Sequence, residues 1–376
     1  MISGIILVFE NFCFKVVFLM KKINIGIIFG GKSSEHEVSR TSAQAIVNNI
    51  RKDKYDIYPI GITKQGEWFL ITEDYNKIGN GEWETSNSKR SAFISPDSSF
   101  KGLVVKDGNG KFEKIRLDAV IPVLHGKNGE DGTMQGLLEL SQIPFVGCDT
   151  TSSAACMDKV ITNCMLSYLG ISKPAFNWFY AYDFEKDSEK CIRETEEIIK
   201  KYPMFIKPAN AGSSVGVSKA DNREELIEGI KKAAKEDQKI LIEEGITGKE
   251  VECAILGNEN PVASCVGEIA PSGGFYDYEA KYINDSSKLF IPARIPDNIS
   301  EEIRKIAVLA YKVMGCSGLS RVDFFVEEGT DRVLLNEINT SPGFTSISMY
   351  PKLMKEIGVD FPDLIDQLIN FALQRK

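Results

Sequence analysis

The sequence predicts an α/β protein in which an open α/β domain precedes two α+β units. Three stretches carry that expectation. Near the start, KINIGIIFGG, SSEHEVSRTSAQAIVNNI and YDIYPIGIT read as apolar strand, helix and strand, the opening of a βαβ unit. In the middle, MFIKPANAGSSVGVSKA reads as strand, glycine-rich loop, strand. Toward the end, SRVDFFVEEGTDRVLLNEIN reads as two strands around a glycine-containing turn.

The bulk properties set the frame. A chain of 376 residues suits two or three compact domains. Hydrophobic residues make up 43% and charged residues 26%, as in soluble globular proteins. The formal net charge of −8 disfavours a nucleic-acid partner. The eight cysteines are scattered without a C-x-x-C pair, which argues against zinc and against a disulfide framework and suits a reducing, cytoplasmic setting. Only His36 and His125 could supply imidazole, so a histidine-based metal site is not expected.

Residues 1–21 stand apart. MISGIILVFENFCFKVVFL is mostly apolar but is interrupted by Glu10 and Lys15. It lacks the basic start and small-residue end of a signal peptide, and it is short of the roughly 20 apolar residues of a membrane span. It runs directly into a core strand, and Met20-Lys21-Lys22 would make an ordinary start. An upstream extension or a mis-chosen start codon is expected, with a membrane anchor or a packed extra element as alternatives.

Residues 22–150 are expected to form the open α/β domain. Its polar 64–116 stretch reads as an insertion of hairpins and loops, and LDAVIPVL is a further buried strand leading into the glycine-rich LHGKNGEDG. Residues 151–247 read as a small α+β unit, with MDKVITNCMLSYLG and EKDSEKCIRETEEIIKKY as helices. Residues 248–376 read as a larger C-terminal unit. No internal repeat or low-complexity tract is present.

Several constellations could carry chemistry. In LLNEINTSPGF, Glu337 and Asn339 are two apart in a strand and share a face. If the preceding turn centres near Thr330, Asp323 falls opposite Glu337 and Arg321 opposite Asn339. Facing carboxylates repel, and a hard divalent cation such as Mg²⁺ would remove the penalty; an exposed hairpin with solvated acids is the alternative. In KPANAGSSVGV, Gly212, Ser213, Ser214 and Gly216 offer backbone and hydroxyl donors to phosphate, with Lys207 at the strand end; a plain hairpin turn is the alternative. The pattern is neither a Walker A motif nor a dinucleotide fingerprint. Glu243 and Glu250, with backbone groups around Glu244 and Ile246, could hold a base and ribose, or be solvated turn acids. The tyrosine-rich loop at 275–282 could form a lid from which Lys281 reaches a phosphate, or be an ordinary surface loop. Glu35 sits at a helix start beyond the first strand, where open sheets bind ligands; it could hold an ammonium group or cap the helix. His125 would point into the same cleft, or be structural.

The ordered set EHEVS, LHGKNGEDG, MDK, KPANAGSSVGVSK, YDYEAKY, SRVDFF and NEINTSPGFTS resembles the D-alanine–D-alanine ligases of the ATP-grasp superfamily, from about residue 22 to about residue 373. The resemblance implies a Rossmann-like N-terminal domain followed by a two-part α+β ATP-grasp fold. It implies ligation of two D-alanines through a D-alanyl phosphate, with release of ADP and phosphate, for peptidoglycan precursor synthesis. Lys159 and Lys207 would contact ATP phosphates together with Ser214, and Lys281 would touch the γ-phosphate. Glu243, Glu244, Ile246 and Glu250 would hold adenine and ribose. Asp323, Glu337 and Asn339 would bind two Mg²⁺ ions, with Mn²⁺ able to substitute. Glu35 would hold the first D-alanine's ammonium, linked to Ser213 and Tyr282, with His125 alongside. Arg321 and the Gly343 backbone would stabilise the oxyanion. Ser348 and Met349 would receive the second D-alanine's carboxylate. Met349 stands where many members have Leu, and His36, which is assigned no role, where others have Arg. The intact Lys281-Tyr282 pair favours the dipeptide over D-alanyl-D-lactate; D-serine use and a non-catalytic nucleotide sensor are the other readings. The resemblance further implies a cytoplasmic homodimer with small-molecule substrates, no nucleic acid and no stable membrane partner.

Overall fold

Three successive sheets organise the chain, and their strands follow the apolar runs. The computed structural model describes residues 2–10, 13–212, 215–270, 288–345 and 347–375; for 2–10 and 13–20 it describes the backbone alone. Strands β1 (Ile2–Glu10) and β2 (Cys13–Met20) pair antiparallel with each other and form a two-stranded sheet of their own. Among the described residues no helix is long and apolar enough to cross a membrane.

The first large sheet contains β3 (Ile23–Gly30), β4 (Tyr55–Ile62), β5 (Trp68–Ile71), β6 (Lys89–Ile94), β7 (Gly102–Lys106), β8 (Phe112–Arg116) and β9 (Ala119–Val123), in the order β8-β7-β6-β5-β4-β3-β9. β3 runs parallel to both β4 and β9, as the βαβ pattern implies. The hairpins expected in the 64–116 stretch are present, and their four strands continue the same sheet antiparallel, each one strand further out. Its Trp83 is fully buried, edge-on to Phe29 of β3 at 5.2 Å between ring centroids. The two faces of β3 divide as a period of two requires. Ile25, Ile27 and Phe29 pack with helix α1 (His36–Asn49) and the C-terminal helix. Ile28 packs on the other side with Met134 and Leu138 of α2 (Thr133–Leu140).

Helices α3 (Thr150–Met157) and α4 (Lys159–Tyr168) follow, each started by an aspartate that accepts from its first-turn amides: Asp149 for α3, Asp158 for α4. The second sheet joins β10 (Phe176–Tyr180), β11 (Met204–Pro208), β12 (Ser218–Ala220) and β13 (Lys239–Glu244) in the order β10-β13-β11-β12. Helices α5 (Ala181–Lys186), α6 (Ser188–Ile199) and α7 (Arg223–Ala233) bury Ile192, Leu226 and Ile230 against it.

The third sheet is antiparallel, in the order β16-β15-β14-β17-β18: β14 (Gly248–Leu256), β15 (Val262–Ala270), β16 (Lys288–Phe290), β17 (Leu319–Glu327) and β18 (Val333–Asn339). Helix α8 (Asp297–Val313) covers one face with Ile303, Ala307 and Tyr311. Helix α9 (Met349–Glu356) covers the other, its Tyr350 hydroxyl donating to Ile255 O at 2.9 Å. The closing helix α10 (Phe361–Gln374) places Leu364, Leu368 and Ile369 in the same core as β3, so the last element locks onto the first sheet.

Candidate active site

The β17–β18 hairpin makes the acidic end of the site. Its register pairs Arg321 with Asn339 and Asp323 with Glu337, as the sequence predicts. Nearer the turn the pairing is offset: Phe324 faces Leu335, so Asn336 is the extra residue of a β-bulge. Thus the sequence register holds only at the open end, and the bulge brings Glu337, not Asn336, opposite Asp323. The Arg321 guanidinium donates to both Asp323 oxygens at 2.8 and 2.7 Å and lies 3.0 Å from Glu252 Oε2. Asn339 Nδ2 donates to Asp323 Oδ2 at 2.9 Å. Burial works against the Arg321 charge, but Asp323 and Glu252 more than offset it and keep the guanidinium ionised.

Cations from the second unit face these acids. Lys159, the first residue of α4, lies 3.9 Å from Glu337 Oε2 and donates to Ala211 O at 2.7 Å. Lys207, near the end of β11, pairs with Glu243 of β13 at 2.6 Å, and Asn163 Nδ2 donates to the same carboxylate at 2.8 Å. Burial opposes both charges of this pair, yet the mutual attraction prevails, so Lys207 is raised and Glu243 lowered. The adjacent Glu244 points to the opposite face, as neighbours in a strand must. There its carboxylate accepts from Ala175 N at 3.0 Å and lies 3.4 Å from Lys201 and 3.5 Å from Arg332. Only its backbone is left on the Glu243 side of the strand end, near Ile246. Glu250 lies near the start of β14, within electrostatic reach of Lys207.

The first domain supplies the remaining wall. Glu35 immediately precedes α1 but makes no side-chain cap. Its carboxylate is buried, and Oε2 lies 2.5 Å from where a Gly126 Cβ would be and 3.1 Å from that of Gly212. A side chain at Gly126 would therefore displace it. The Ser33 hydroxyl fixes the turn, accepting from Glu35 N at 3.1 Å and donating to His125 O at 2.9 Å. Burial holds His125 below the ordinary imidazole range. Its Nδ1 lies 3.1 Å from Ser341 O and its Nε2 3.3 Å from Ser42 Oγ. The carbonyl can only accept, so neutral His125 carries its proton on Nδ1 and accepts from Ser42. This ties the first domain to the loop after β18.

That loop leads to α9. Ser348 precedes the helix, with Oγ 2.8 Å from Thr345 Oγ1 and 3.0 Å from a Gly343 Cβ position. The Met349 side chain is buried against β15, its Sδ 2.8 Å from where a Gly267 Cβ would be. It is a core contact, and just before the helix the Ser348 N–H donates to Thr345 O at 3.0 Å. Ser213, Ser214, Lys281 and Tyr282 lie outside the described residues.

Two charged residues in this cleft were not singled out by the sequence. Glu130, inside LHGKNGEDG, accepts from Gly126 N at 2.8 Å; burial first and then the Glu35 charge push its carboxyl up to about 8. Lys173, in GISKPAF, donates to Asn336 O at 2.7 Å, and burial pulls it down to about 8. The motif quoted around His125 could have flagged Glu130. Nothing local flags Lys173.

Asp323, Glu337 and Asn339 present hard oxygen donors on one face, the donor chemistry of Mg²⁺ rather than of a soft metal. With its Nδ2 turned to Asp323, Asn339 has its amide oxygen left as an acceptor, and with two carboxylates beside it the set fits a divalent cation.

Comparison with known proteins agrees in sequence and shape. The family described as D-ala D-ala ligase N-terminus matches residues 24–148, and D-ala D-ala ligase C-terminus matches 165–370. A D-alanine–D-alanine ligase of Thermoanaerobacter sp. (strain X514) is 50% identical over 357 residues, covering 94% of this chain and 98% of that relative. Among solved structures, the VanG D-Ala:D-Ser ligase from Enterococcus faecalis superposes with a TM-score of 0.85 at 44% identity, covering 94% of this chain and all of that one. The D-alanine-D-alanine ligase from Coxiella burnetii gives 0.81 at 34% identity, covering 94% and 96%.

Proposed function

The chain belongs to the D-alanine–D-alanine ligase family and is an ATP-dependent ligase, and we propose on that premise how its residues join two D-alanines into D-alanyl-D-alanine. The reading rests above all on one convergence. Arg321, Asp323, Glu337 and Asn339 share a hairpin end that faces Lys159, while Ser341 just beyond it meets His125 beside Glu35.

A carboxylate and an amine at neutral pH form a salt, not an amide. Phosphoryl transfer from ATP to the first D-alanine's carboxylate gives an acyl phosphate and ADP. Lys159 and Lys207 orient the phosphates and offset their charge, which is most of what such a transfer needs. Asp323, Glu337 and Asn339 would hold two Mg²⁺ ions, which when bound polarise phosphate oxygens and neutralise developing charge. Glu243, Glu250 and the backbone of Glu244 and Ile246 would hold the base and ribose, and Ser214 and Lys281 would complete the phosphate site.

Glu35 receives the first D-alanine's ammonium, with Ser213 and Tyr282 as its partners. The second D-alanine's carboxylate docks on the Ser348 hydroxyl and the Met349 N–H, where a helix start favours an anion. Its amine, once deprotonated, attacks the acyl carbon. Arg321 and the Gly343 N–H stabilise the oxyanion. The tetrahedral adduct then expels phosphate. The chain is further proposed to act as a cytoplasmic homodimer, a setting in keeping with the free thiols of the described cysteines.

The test is phosphate release from ATP with D-alanine alone, with added D-serine or D-lactate, and with L-alanine as control, the products weighed by mass spectrometry. D-alanyl-D-alanine as main product is expected. A mixed product dominated by D-serine or D-lactate would move the chain to that ligase class, and no turnover with any D-amino acid would reject the substrate assignment.

A further inference from the structure

Lys173 lies on the segment between α4 and β10, which runs along the outer side of β18: Ser172 O accepts from Leu335 N at 2.9 Å. The next side chain reaches the bulge. Asn336 is the residue that the β17–β18 ladder leaves out, and Lys173 Nζ takes its carbonyl at 2.7 Å. The ammonium is thereby fixed one residue from Glu337.

Its charge environment is unlike that of the neighbouring lysines. Lys207 has Glu243 at 2.6 Å, and Lys159 has Glu337 at 3.9 Å. Lys173 feels Glu243, Glu337, Lys207 and Lys159, yet among the described residues no carboxylate lies within ion-pair distance of its Nζ. Lys173 is half-buried, and even partial desolvation of an unpaired ion is costly. An ammonium has three N–H donors, so Lys173 can keep Asn336 O and still donate to a ligand. A ligand anion could take those donors, beside the Lys207–Glu243 pair and the acidic hairpin end whose charges reach this ammonium.

We propose that Lys173 is a further nucleotide-binding lysine of this chain, beside Lys159, Lys207 and Lys281, donating to the phosphate groups of ATP from the bulge at Asn336. This rests on the ligase reading above. It assigns the nucleotide a cation that comes from neither the glycine-rich loop nor the start of α4. The same side chain caps the bulge that aims Glu337, so nucleotide binding and metal-site geometry share one ammonium.

The test is a nucleotide series bound to the full chain and followed calorimetrically: adenosine, AMP, ADP and ATP, with and without Mg²⁺. Two variants are compared. Lys173→Met removes the charge and the donor. Lys173→Gln removes the charge but keeps a donor for Asn336 O. A charged hydrogen bond lost to a phosphate reads as about 10- to 100-fold weaker binding. Both variants should lose that much for ADP and ATP, less for AMP, and almost nothing for adenosine. An equal loss across the series would make Lys173 a structural prop, and no loss in either variant would remove it from the site; each overturns the proposal. If the unaltered chain bound no adenine nucleotide at all, the ligase reading itself would fall, a different result from failure of the variants.

Discussion

Arg321 and Asp323 stand two residues apart on β17, and the Arg321 guanidinium grips both oxygens of the Asp323 carboxylate at 2.8 and 2.7 Å. The pair couples the proposed oxyanion donor to the proposed metal ligand. Asp323→Asn breaks both duties: the Mg²⁺ concentration for half-maximal rate should rise at least about tenfold. An unchanged Mg²⁺ titration would take Asp323 out of the metal site. Arg321→Lys keeps the charge but loses the fork, and kcat should fall about 10²- to 10³-fold with the KM for ATP little changed.

Glu35 is buried against Gly126 and Gly212 and does not cap α1 with its side chain. Glu35→Gln should therefore raise the KM for D-alanine by about 10- to 100-fold, the cost of one charged hydrogen bond, while the Kd for ATP stays within about twofold. Equal losses for both ligands would remove Glu35 from the amino-acid site.

Glu130 carries a pH prediction. Burial, then the Glu35 charge, raises its folded pKa to about 8, above its ordinary value of 4.5. The folded state then holds more protons than the unfolded state between those values. The contribution of this carboxyl to stability is present below about pH 4.5 and is lost as pH rises toward about 8. Thermal unfolding of Glu130→Gln should show a flatter decline of Tm over that range. An ammonium bound at Glu35 favours the ionised form of Glu130, so D-alanine binding near pH 7 should release a proton, seen as a buffer-dependent heat that the variant lacks.

Trp83 tests whether the 64–116 stretch is core or ornament. It is fully buried, and a Cβ on Gly61 would come within 2.6 Å of its ring. Trp83→Ala should cost about 3–5 kcal/mol and Gly61→Ala about 1–3 kcal/mol, both read by chemical denaturation. A loss below about 1 kcal/mol for Trp83→Ala would mean that the stretch folds independently of β3.

Legibility varied with the range of the interaction. The Asp323–Glu337 and Arg321–Asn339 pairings could be read from the turn and the strand period alone. The bulge could not, because no residue type marks Asn336 as the one left out of the ladder. The 64–116 stretch reads as a polar insertion of hairpins and loops, and only the sheet shows β5 to β8 adding to β4 in turn. Glu35 could be read as a cap or a ligand residue from its place at a helix start. Its packing against Gly126 and Gly212 could not be read there, because both glycines lie far along the chain.

The sequence by itself determined which side chains share a face and which loops follow which strands, because strand period, helix caps and turn residues act over a few positions. It also carried the family, through motifs spread from EHEVS to NEINTSPGFTS. Only the tertiary structure decided that His125 is neutral and clamps the first domain to Ser341, that Glu130 sits in the field of Glu35, and that Lys173 meets a carbonyl 163 positions away. Those outcomes depend on burial and on distances between segments that local pattern does not encode. A charge's behaviour is set by what surrounds it once water is excluded.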